Sequence, residues 1–194
     1  MRLTDGSLWI HSPISPSQSV VDSVQALGKV SFVVAPNKSH HLFFLDYLKA
    51  FPSALGFIAP GLAVKRPDLA RFSTIPHEAP WSADLHGYFI KGLPIIDETV
   101  WFHSRTGSLI VTDLLFCFSR SHRGFAALLS QLLGVRGTLG MSRTMRLAIK
   151  NKMLFTESVR PLLSLPVQRV ILAHDQVIEE DAARKLKQAF AWLR

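Results

Sequence analysis

Short apolar runs alternate with segments of helical spacing along the first half of the chain. The runs are rich in β-branched and aromatic residues and predict strands at residues 7–11, 30–34 and within 52–59. Between these runs, the apolar spacing predicts helices at residues 16–27 and 42–51. Strands that alternate with helices favour a layered α/β domain.

The second half predicts a hairpin, a helical segment and a closing strand and helix. Strands are expected at residues 85–90, 99–103, 109–112 and 169–173. Ser104-Arg-Thr-Gly107 is a natural hairpin turn, residues 122–165 have the spacing of about three helices, and 179–192 that of a final helix. Because hairpin strands are antiparallel, we expect a mixed sheet, or two sheets with helices outside.

Length and composition bound the kind of protein. At 194 residues and 48% apolar content, the chain suits one globular domain spanning 1–194. No stretch reaches the roughly 18 apolar residues that a membrane span needs, and the N-terminus lacks a signal-peptide core. The single cysteine, Cys117, lies in an apolar run and predicts an inert, buried thiol in a reducing environment. These features predict a cytoplasmic protein without a membrane span.

Positive charge is concentrated in one segment. The whole chain carries +8, and the stretch from Ser119 to Arg160 holds eight basic residues against Glu157 alone, a net charge of +7. Such a field favours an anionic partner, which could be a substrate carboxylate or phosphate, nucleic acid or an acidic membrane surface. A solvated helical face is the alternative. The segment is interpreted as a basic helical insert at about 119–165.

Four potential metal ligands each follow the end of a predicted strand: His40, His41, Asp113 and His174. Loops at strand ends bring distant segments together, and this is where α/β proteins commonly build sites. Imidazole and carboxylate ligands suit Zn²⁺ or iron, and a lone cysteine does not favour a thiolate site. A histidine pair on its own is more often structural, so the hypothesis depends on all three segments meeting.

Three further polar residues are candidates for a supporting or substrate-binding role. Asn37 could hydrogen-bond a substrate oxygen, although asparagine also commonly forms turns. Asp97 and Glu98 precede a predicted hairpin strand and could act as a general base or orient a histidine, with strand-end surface acids as the alternative. The chain has no Gly-x-Ser-x-Gly motif, which disfavours a serine hydrolase.

The order of these features resembles the metallo-β-lactamase fold superfamily, and more closely a divergent, uncharacterised bacterial branch of it, a domain of unknown function. The resemblance covers roughly residues 7–175. The segments that carry it are Ala35-Pro-Asn-Lys-Ser-His-His41, Ala59-Pro-Gly-Leu-Ala-Val-Lys-Arg-Pro-Asp68, Glu98-Thr-Val-Trp-Phe-His103 and Leu109-Ile-Val-Thr-Asp113. The resemblance implies a four-layer αββα sandwich with a metal site at one edge of its two sheets.

The His-x-His-x-Asp-His signature of the superfamily is not intact here. If His41 takes the place of the final histidine, His40 falls on the aspartate. Lys38 and Pro36 then fall on the two leading histidines. The histidine expected before the hairpin falls near residues 94–97, which contain none. The resemblance therefore implies that the first metal position is lost. The second would be mononuclear, with the ligands His40, His41, Asp113 and His174.

Three functions stay open at this point. The favoured one is a metal-dependent hydrolase with one Zn or Fe ion, acting on an ester-like or anionic small molecule; catalysis would need a coordination position open to water. The second is a degenerate, non-catalytic member with a structural metal or none. The third, less favoured, is a nucleic-acid-binding module that uses the basic insert.

A cluster of leucines in the insert has two interpretations. Its members share helical spacing: Leu128, Leu129, Leu132 and Leu133. They are expected either to be ordinary core or to mediate a homodimer.

Overall fold

The computed structural model describes residues 1–193. The chain divides into two compact units, one made of residues 1–85 and 96–98 and the other of 86–95 and 99–194. The strands predicted at residues 7–11, 30–34 and within 52–59 belong to the first unit, together with the two helices predicted between them. The hairpin, the insert and the closing helix belong to the second. The extent of a single domain, 1–194, stays a prediction.

The first unit contains a four-stranded parallel sheet with helices between its strands. In chain order its elements are β1 (Leu8–His11), α1 (Gln18–Leu27), β2 (Val30–Ala35), α2 (Phe44–Ala50), β3 (Leu55–Ile58), α3 (Leu62–Lys65) and β4 (Ser73–Thr74), with a 3₁₀ turn at Pro67–Leu69. The strands lie in the order β1-β2-β3-β4 and all pair in parallel. Parallel neighbours need crossover connections, and α1 and α2 supply the first two.

The register of this sheet brings the ends of three strands to one edge. Val34 of β2 pairs with His11 of β1 and with Phe57 of β3. The loops that begin at Ser12 and Pro36 therefore leave the sheet side by side, and the amide of Ser12 donates to the Val34 carbonyl at 3.0 Å.

Helix α2 packs closely on this sheet. Phe44 is fully buried and meets Phe72 edge to face at 5.0 Å. Gly56 in β3 makes the approach possible, because a Cβ atom there would lie 2.8 Å from both Leu48 Cδ1 and Phe44 Cζ. Burial of an aromatic side chain of this size contributes roughly 1.5–3 kcal/mol to stability. The predicted helix at 42–51 is confirmed with a later start at Phe44, because residues 40–43 form turns.

The second sheet has five strands and mixed pairing. In chain order its elements are β5 (Leu85–Phe89), β6 (Thr99–His103), β7 (Ser108–Val111), α4 (Gly124–Leu132), α5 (Arg143–Leu147), α6 (Lys152–Val159), β8 (Arg169–Leu172), β9 (Val177–Ile178) and α7 (Ala182–Ala189). Shorter 3₁₀ turns lie at Ser104–Thr106, Arg160–Ser164 and Ala191–Leu193. The strand order is β5-β6-β7-β8-β9.

The predicted hairpin is confirmed as the antiparallel pair of β6 and β7. Its turn ends at Gly107 with a left-handed φ of 58°. A Cβ atom at this position would lie 2.7 Å from Gln168 Cγ, so glycine is required by both conformation and space. All residues of both strands are buried. That explains their nearly continuous apolar pattern.

The parallel pairing of β7 and β8 aligns two candidate ligands. Val111 pairs with Leu172, and the amide of Ala173 donates to the Val111 carbonyl at 3.1 Å. Asp113 lies two residues after Val111, and His174 lies two residues after Leu172. Both side chains therefore belong to loops that leave the sheet at the same edge. The predictions of a mixed sheet and of two sheets are confirmed.

Several sequence-based expectations differ from the structure. Strands β4 and β9 are two residues long and lie outside the predictions, because so short a strand depends on its neighbour rather than on its own periodicity. The closing helix begins at Ala182 instead of residue 179, since Asp181 takes a left-handed φ of 54°. The three helices of the insert are confirmed. Cys117 is buried, and burial raises the pKa of its thiol, as expected for an inert cysteine.

The interpretation of the insert leucines as ordinary core is wrong for three of them. Leu128, Leu129 and Leu132 of α4 are exposed, and Leu133 is only half-buried. Ser130 is the buried side chain of this helix. Among residues 1–193, no helix combines the length and the apolar composition that crossing a membrane requires.

Candidate metal centre

The loop after β2, which holds His40 and His41, is organised around Asn37. This asparagine is fully buried, and its Oδ1 accepts hydrogen bonds from the backbone amides of Ser39 and His40, both at 2.7 Å. Asparagine closes such turns because its short side chain reaches the backbone amides two and three residues onward. The turn-forming role weighed for Asn37 is therefore present. A contact between Asn37 and a substrate stays a prediction.

The segment 96–98 holds this loop in place through both backbone and side chains. The amide of Lys38 donates to the Ile96 carbonyl at 2.8 Å, and Lys38 Nζ forms an ion pair with Asp97. Asn37 Nδ2 donates to Glu98 Oε2 at 3.2 Å, with both residues fully buried. Loss of one partner of such a buried pair costs about 1–3 kcal/mol.

These contacts decide between the two interpretations of the acids. The alternative of surface acids is wrong for Glu98, which is fully buried. Asp97 reaches its position with a left-handed φ of 46°. Gly61 accommodates the ion pair, because a Cβ atom there would lie 2.7 Å from Asp97 Oδ2. Both acids thus position the histidine loop, and a general-base role for either stays a prediction.

His40 is oriented by the neighbouring strand. Its Nδ1 shares a hydrogen bond with the hydroxyl of Ser12, which follows β1 with a positive φ of 49°. Because Nδ1 is engaged in this contact, Nε2 is the ring nitrogen that would face an ion. A hydrogen bond to the far nitrogen fixes the tautomer and orientation of many metal-ligating histidines. Sequence reasoning missed Ser12, and only the parallel pairing of β1 with β2 identifies it.

His11 lies on β1 just before Ser12, and its nitrogen Nε2 is buried without a hydrogen-bond partner. The ring stacks on Trp9 with 5.0 Å between centroids. Burial, followed by the positive charges of His40 and the N-terminal ammonium group, lowers the pKa of His11 from 6.5 to about 3. The imidazole is therefore neutral at neutral pH and packs as an apolar ring.

His41 lies beside a cation. It is buried, and its Nδ1 is 3.2 Å from Arg66 Nη1. Arg66 also binds Asp68 through two parallel hydrogen bonds, of 2.8 and 2.6 Å. Burial, followed by the charges of Arg66 and Lys65, lowers the pKa of His41. The imidazole is thus held neutral, with Nδ1 placed to accept from the guanidinium.

Asp113 and His174 lie next to each other at the ends of β7 and β8. Asp113 Oδ1 is 3.3 Å from His174 Nε2, and the aspartate is buried whereas the histidine is more exposed. Phe116 stacks on the His174 ring with 5.6 Å between centroids and 16° between planes. The carboxylate of the adjacent Asp175 accepts a hydrogen bond from the amide of Ser119 at 2.5 Å. The start of the insert is therefore attached to the loop that carries His174.

Three of the four predicted ligands form a group that could hold a metal ion. His40, Asp113 and His174 each offer one ligand atom, and these atoms lie within 4.8 Å of one another. Two imidazoles and one carboxylate are a donor set that suits zinc or iron, and three protein ligands leave a position open for water. His41 is outside this group of described residues, so its place as a fourth ligand stays a prediction.

One known protein family matches the larger, N-terminal part of the chain. Residues 1–135 match the family described as a domain of unknown function, DUF4336. The chain belongs to this family. No curated protein matches it.

Solved structures that resemble the chain share one fold. The BLEG-1 B3 metallo-β-lactamase is 12% identical, with 100% of this chain and 91% of that chain covered and a TM-score of 0.59. The metallo-β-lactamase from Pontibacter korlensis is 11% identical, with 94% and 80% covered and a TM-score of 0.57. The chemotaxis sensor ODP, seen as a peroxy diiron species, is 12% identical, with 94% and 79% covered and a TM-score of 0.60. The predicted α/β fold of metallo-β-lactamase type is confirmed. At such identities the likeness concerns the fold alone.

Proposed function

We propose that this protein is a metal-dependent hydrolase with a mononuclear site, acting on an ester-like or anionic small molecule. The observation that carries the proposal is the group of His40, Asp113 and His174, whose ligand atoms lie within 4.8 Å of one another. His41 is proposed as a fourth ligand, and Zn or Fe as the ion. The fold is compatible with this chemistry, since metallo-β-lactamases and a diiron protein share it.

When bound, the cation would supply Lewis acidity and lower the pKa of a water molecule. Three contacts within the chain hold the proposed ligands in position for it. Ser12 holds Nδ1 of His40 and so orients its ring. Phe116 restricts the ring of His174 by stacking. The fully buried pair of Asn37 and Glu98 keeps the histidine loop from relaxing. Each contact reduces the motion that a ligand would lose on binding an ion.

The charges beside the histidine loop support an anionic substrate. Lys65 Nζ donates to the Lys38 carbonyl at 2.7 Å, which places a second cation on the loop. Arg66 Nη1 lies 3.2 Å from His41 Nδ1, and burial, followed by the charges of Arg66 and Lys65, lowers the pKa of that imidazole. Burial accounts for the largest part of this shift, and the two cations add to it, so the loop carries positive charge beside His41. An anion that approaches this loop would be attracted by this charge.

Metal analysis of the purified protein tests the proposal first. We expect about one equivalent of Zn or Fe by mass spectrometry, and loss of that metal in the His40→Ala, Asp113→Ala and His174→Ala variants. The matched control is His86→Ala, since His86 is an exposed histidine on β5. His41→Ala distinguishes three ligands from four, and Ser12→Ala should weaken affinity by about 10–100-fold.

Activity is tested separately on the metal-loaded protein. Nitrophenyl esters, lactones and phosphodiesters are the probes, and turnover should disappear in Asp113→Ala. Absence of metal in the wild type would contradict the proposal. Full metal occupancy without turnover on any probe would favour the non-catalytic alternative with a structural ion.

A further inference from the structure

Helix α4 presents its apolar stripe to solvent. Phe125, Leu128, Leu129 and Leu132 are spaced as positions i, i+3, i+4 and i+7 and share one helix face. Their side chains are 78%, 56%, 43% and 58% exposed. The side chain buried by this helix is Ser130, whose hydroxyl donates to the Ala127 carbonyl at 3.0 Å. The helix thus buries Ser130 and leaves its apolar side chains exposed, and a contiguous apolar stripe of this kind is typical of an interaction surface.

Basic residues border this stripe at both ends. Arg120 and Arg123 precede α4, while Arg136 and Arg143 follow it. Arg136 Nη2 donates to the Arg120 carbonyl at 3.0 Å, and Arg143 Nε would lie 3.4 Å from a Cβ atom at Gly134, directly after the helix. The four arginines therefore lie close to the ends of α4.

The stretch of sequence that holds α4 contributes no acid of its own to balance this charge. Residues 114–156 contain no aspartate or glutamate. Arginines at the start of a helix also oppose its dipole, so helix stability does not explain the position of Arg120 and Arg123. Leu147 of α5 and Met153 of α6 add exposed apolar side chains within the same acid-free stretch.

We propose that α4 is an interfacial helix that docks the protein onto anionic lipid surfaces. An amphipathic helix of this type lies in the plane of the membrane, with apolar side chains in the acyl boundary and basic ones at the phosphate level. Each arginine near an anionic leaflet adds attraction that salt weakens. The proposal does not depend on the metal site.

Two other occupants fit the same surface less well. A second copy of the chain would meet it by twofold symmetry, which would place the arginines of one copy against those of the other. Duplex nucleic acid would pair with the arginines but would leave Phe125 and three leucines without an apolar partner. Of these three occupants, an anionic lipid surface alone offers both an apolar phase for the stripe and negative charge for the arginines.

Docking would bring the lipid surface near one candidate ligand. His122 Nε2 is 3.5 Å from Asp175 Oδ1, and the amide of Ser119 donates to the same carboxylate. Asp175 follows His174 directly, and α4 begins two residues after His122. A protein held by α4 would therefore present the His174 loop close to the membrane.

Flotation of the full-length protein with vesicles tests the proposal. Vesicles of phosphatidylcholine with about one third phosphatidylserine are compared with pure phosphatidylcholine, each at low and high salt. We expect binding to the anionic vesicles, weakened by salt. The Leu128→Ser/Leu132→Ser variant should reduce the partition coefficient about ten-fold or more. Arg123→Gln should reduce it by about five-fold.

The controls use residues of the same type away from α4. Leu27→Ser removes a leucine that is 64% exposed at the end of α1, and Lys29→Gln removes an exposed cation; both should leave binding unchanged. Because Cys117 is buried, a Leu128→Cys variant can carry a polarity-sensitive dye whose emission should shift to the blue on anionic vesicles.

Three results would overturn the proposal. The first is absence of binding to anionic vesicles. The second is binding that the Leu128→Ser/Leu132→Ser variant retains in full. The third is a wild-type dimer, measured by sedimentation, that this variant converts to monomer while neither protein binds vesicles; that result would assign the stripe to a second copy.

Discussion

Helices α4 and α7 have similar lengths and opposite placements of their apolar residues. In α7, Ala182, Leu186 and Ala189 recur at helical spacing and are all buried. In α4 an apolar stripe with the same kind of spacing faces solvent, and the buried side chain is Ser130. The difference shows that apolar periodicity identifies which residues share a helix face. It does not say whether the core covers that face.

The two helices also differ in the charges around them. Helix α7 carries its basic residues on the side away from the core and follows three acids in sequence, Glu179, Glu180 and Asp181. Helix α4 lies within a stretch of 43 residues that contains no acid. A helix with an exposed apolar stripe and arginines next to both of its ends suits an anionic surface with an apolar interior rather than water.

The largest expected effect is the removal of a buried leucine from α7. Leu186 is 1% exposed, so Leu186→Ala should lower the free energy of unfolding by about 2–5 kcal/mol. Leu128→Ala in α4 should change it by less than about 0.5 kcal/mol, because the side chain leaves no cavity. Urea unfolding of both variants measures the difference. Equal losses would mean that the stripe of α4 is covered in solution.

An inverted substitution tests which face of α4 is anchored. Ser130→Leu makes the helix more apolar, yet it should cost about 1–3 kcal/mol because the larger side chain must enter a packed position. Gln131→Leu, one residue onward and exposed, is the matched control and should leave the unfolding free energy nearly unchanged. A stabilising Ser130→Leu would show that this face is not packed.

Acid unfolding extends the comparison of buried and exposed groups to charge. The pKa of His11 is lowered from 6.5 to about 3, so the folded protein stays unprotonated there while the unfolded chain binds a proton. The contribution of neutral His11 to the free energy of unfolding is therefore retained above about pH 6.5. It is lost as the pH falls towards 3, by up to about 1.4 kcal/mol for each pH unit. His11→Phe keeps the stacking on Trp9 and should flatten this part of the curve.

The measurement is urea unfolding of the chelator-treated wild type and His11→Phe at several pH values. The slopes of the two proteins should agree above about pH 7.5, where His11 is neutral in both states. Identical slopes at pH 5 would contradict the burial of the His11 nitrogen.

The sequence predicts the candidate ligands because each of them lies close to the end of a strand that has its own apolar pattern. Strand runs predict where β2, β7 and β8 end, and His40, Asp113 and His174 follow those ends within five residues. Parallel pairing of β7 with β8 then brings the ends of these two strands to a common edge. The partners of these residues are not readable in this way. Ser12 reaches His40 across 28 positions, and Phe116 reaches His174 across 58.

Local order thus decided the strands of four or more residues, the turn at Ser104–Thr106 and the helical insert, since each depends on residues a few positions apart. Tertiary packing alone decided that Glu98 is buried against Asn37, that Arg66 lies beside His41, and that Leu128 faces solvent. The physical reason is that burial depends on what lies opposite a side chain. The spacing of apolar residues along the chain indicates only which side chains share one face of a helix or strand.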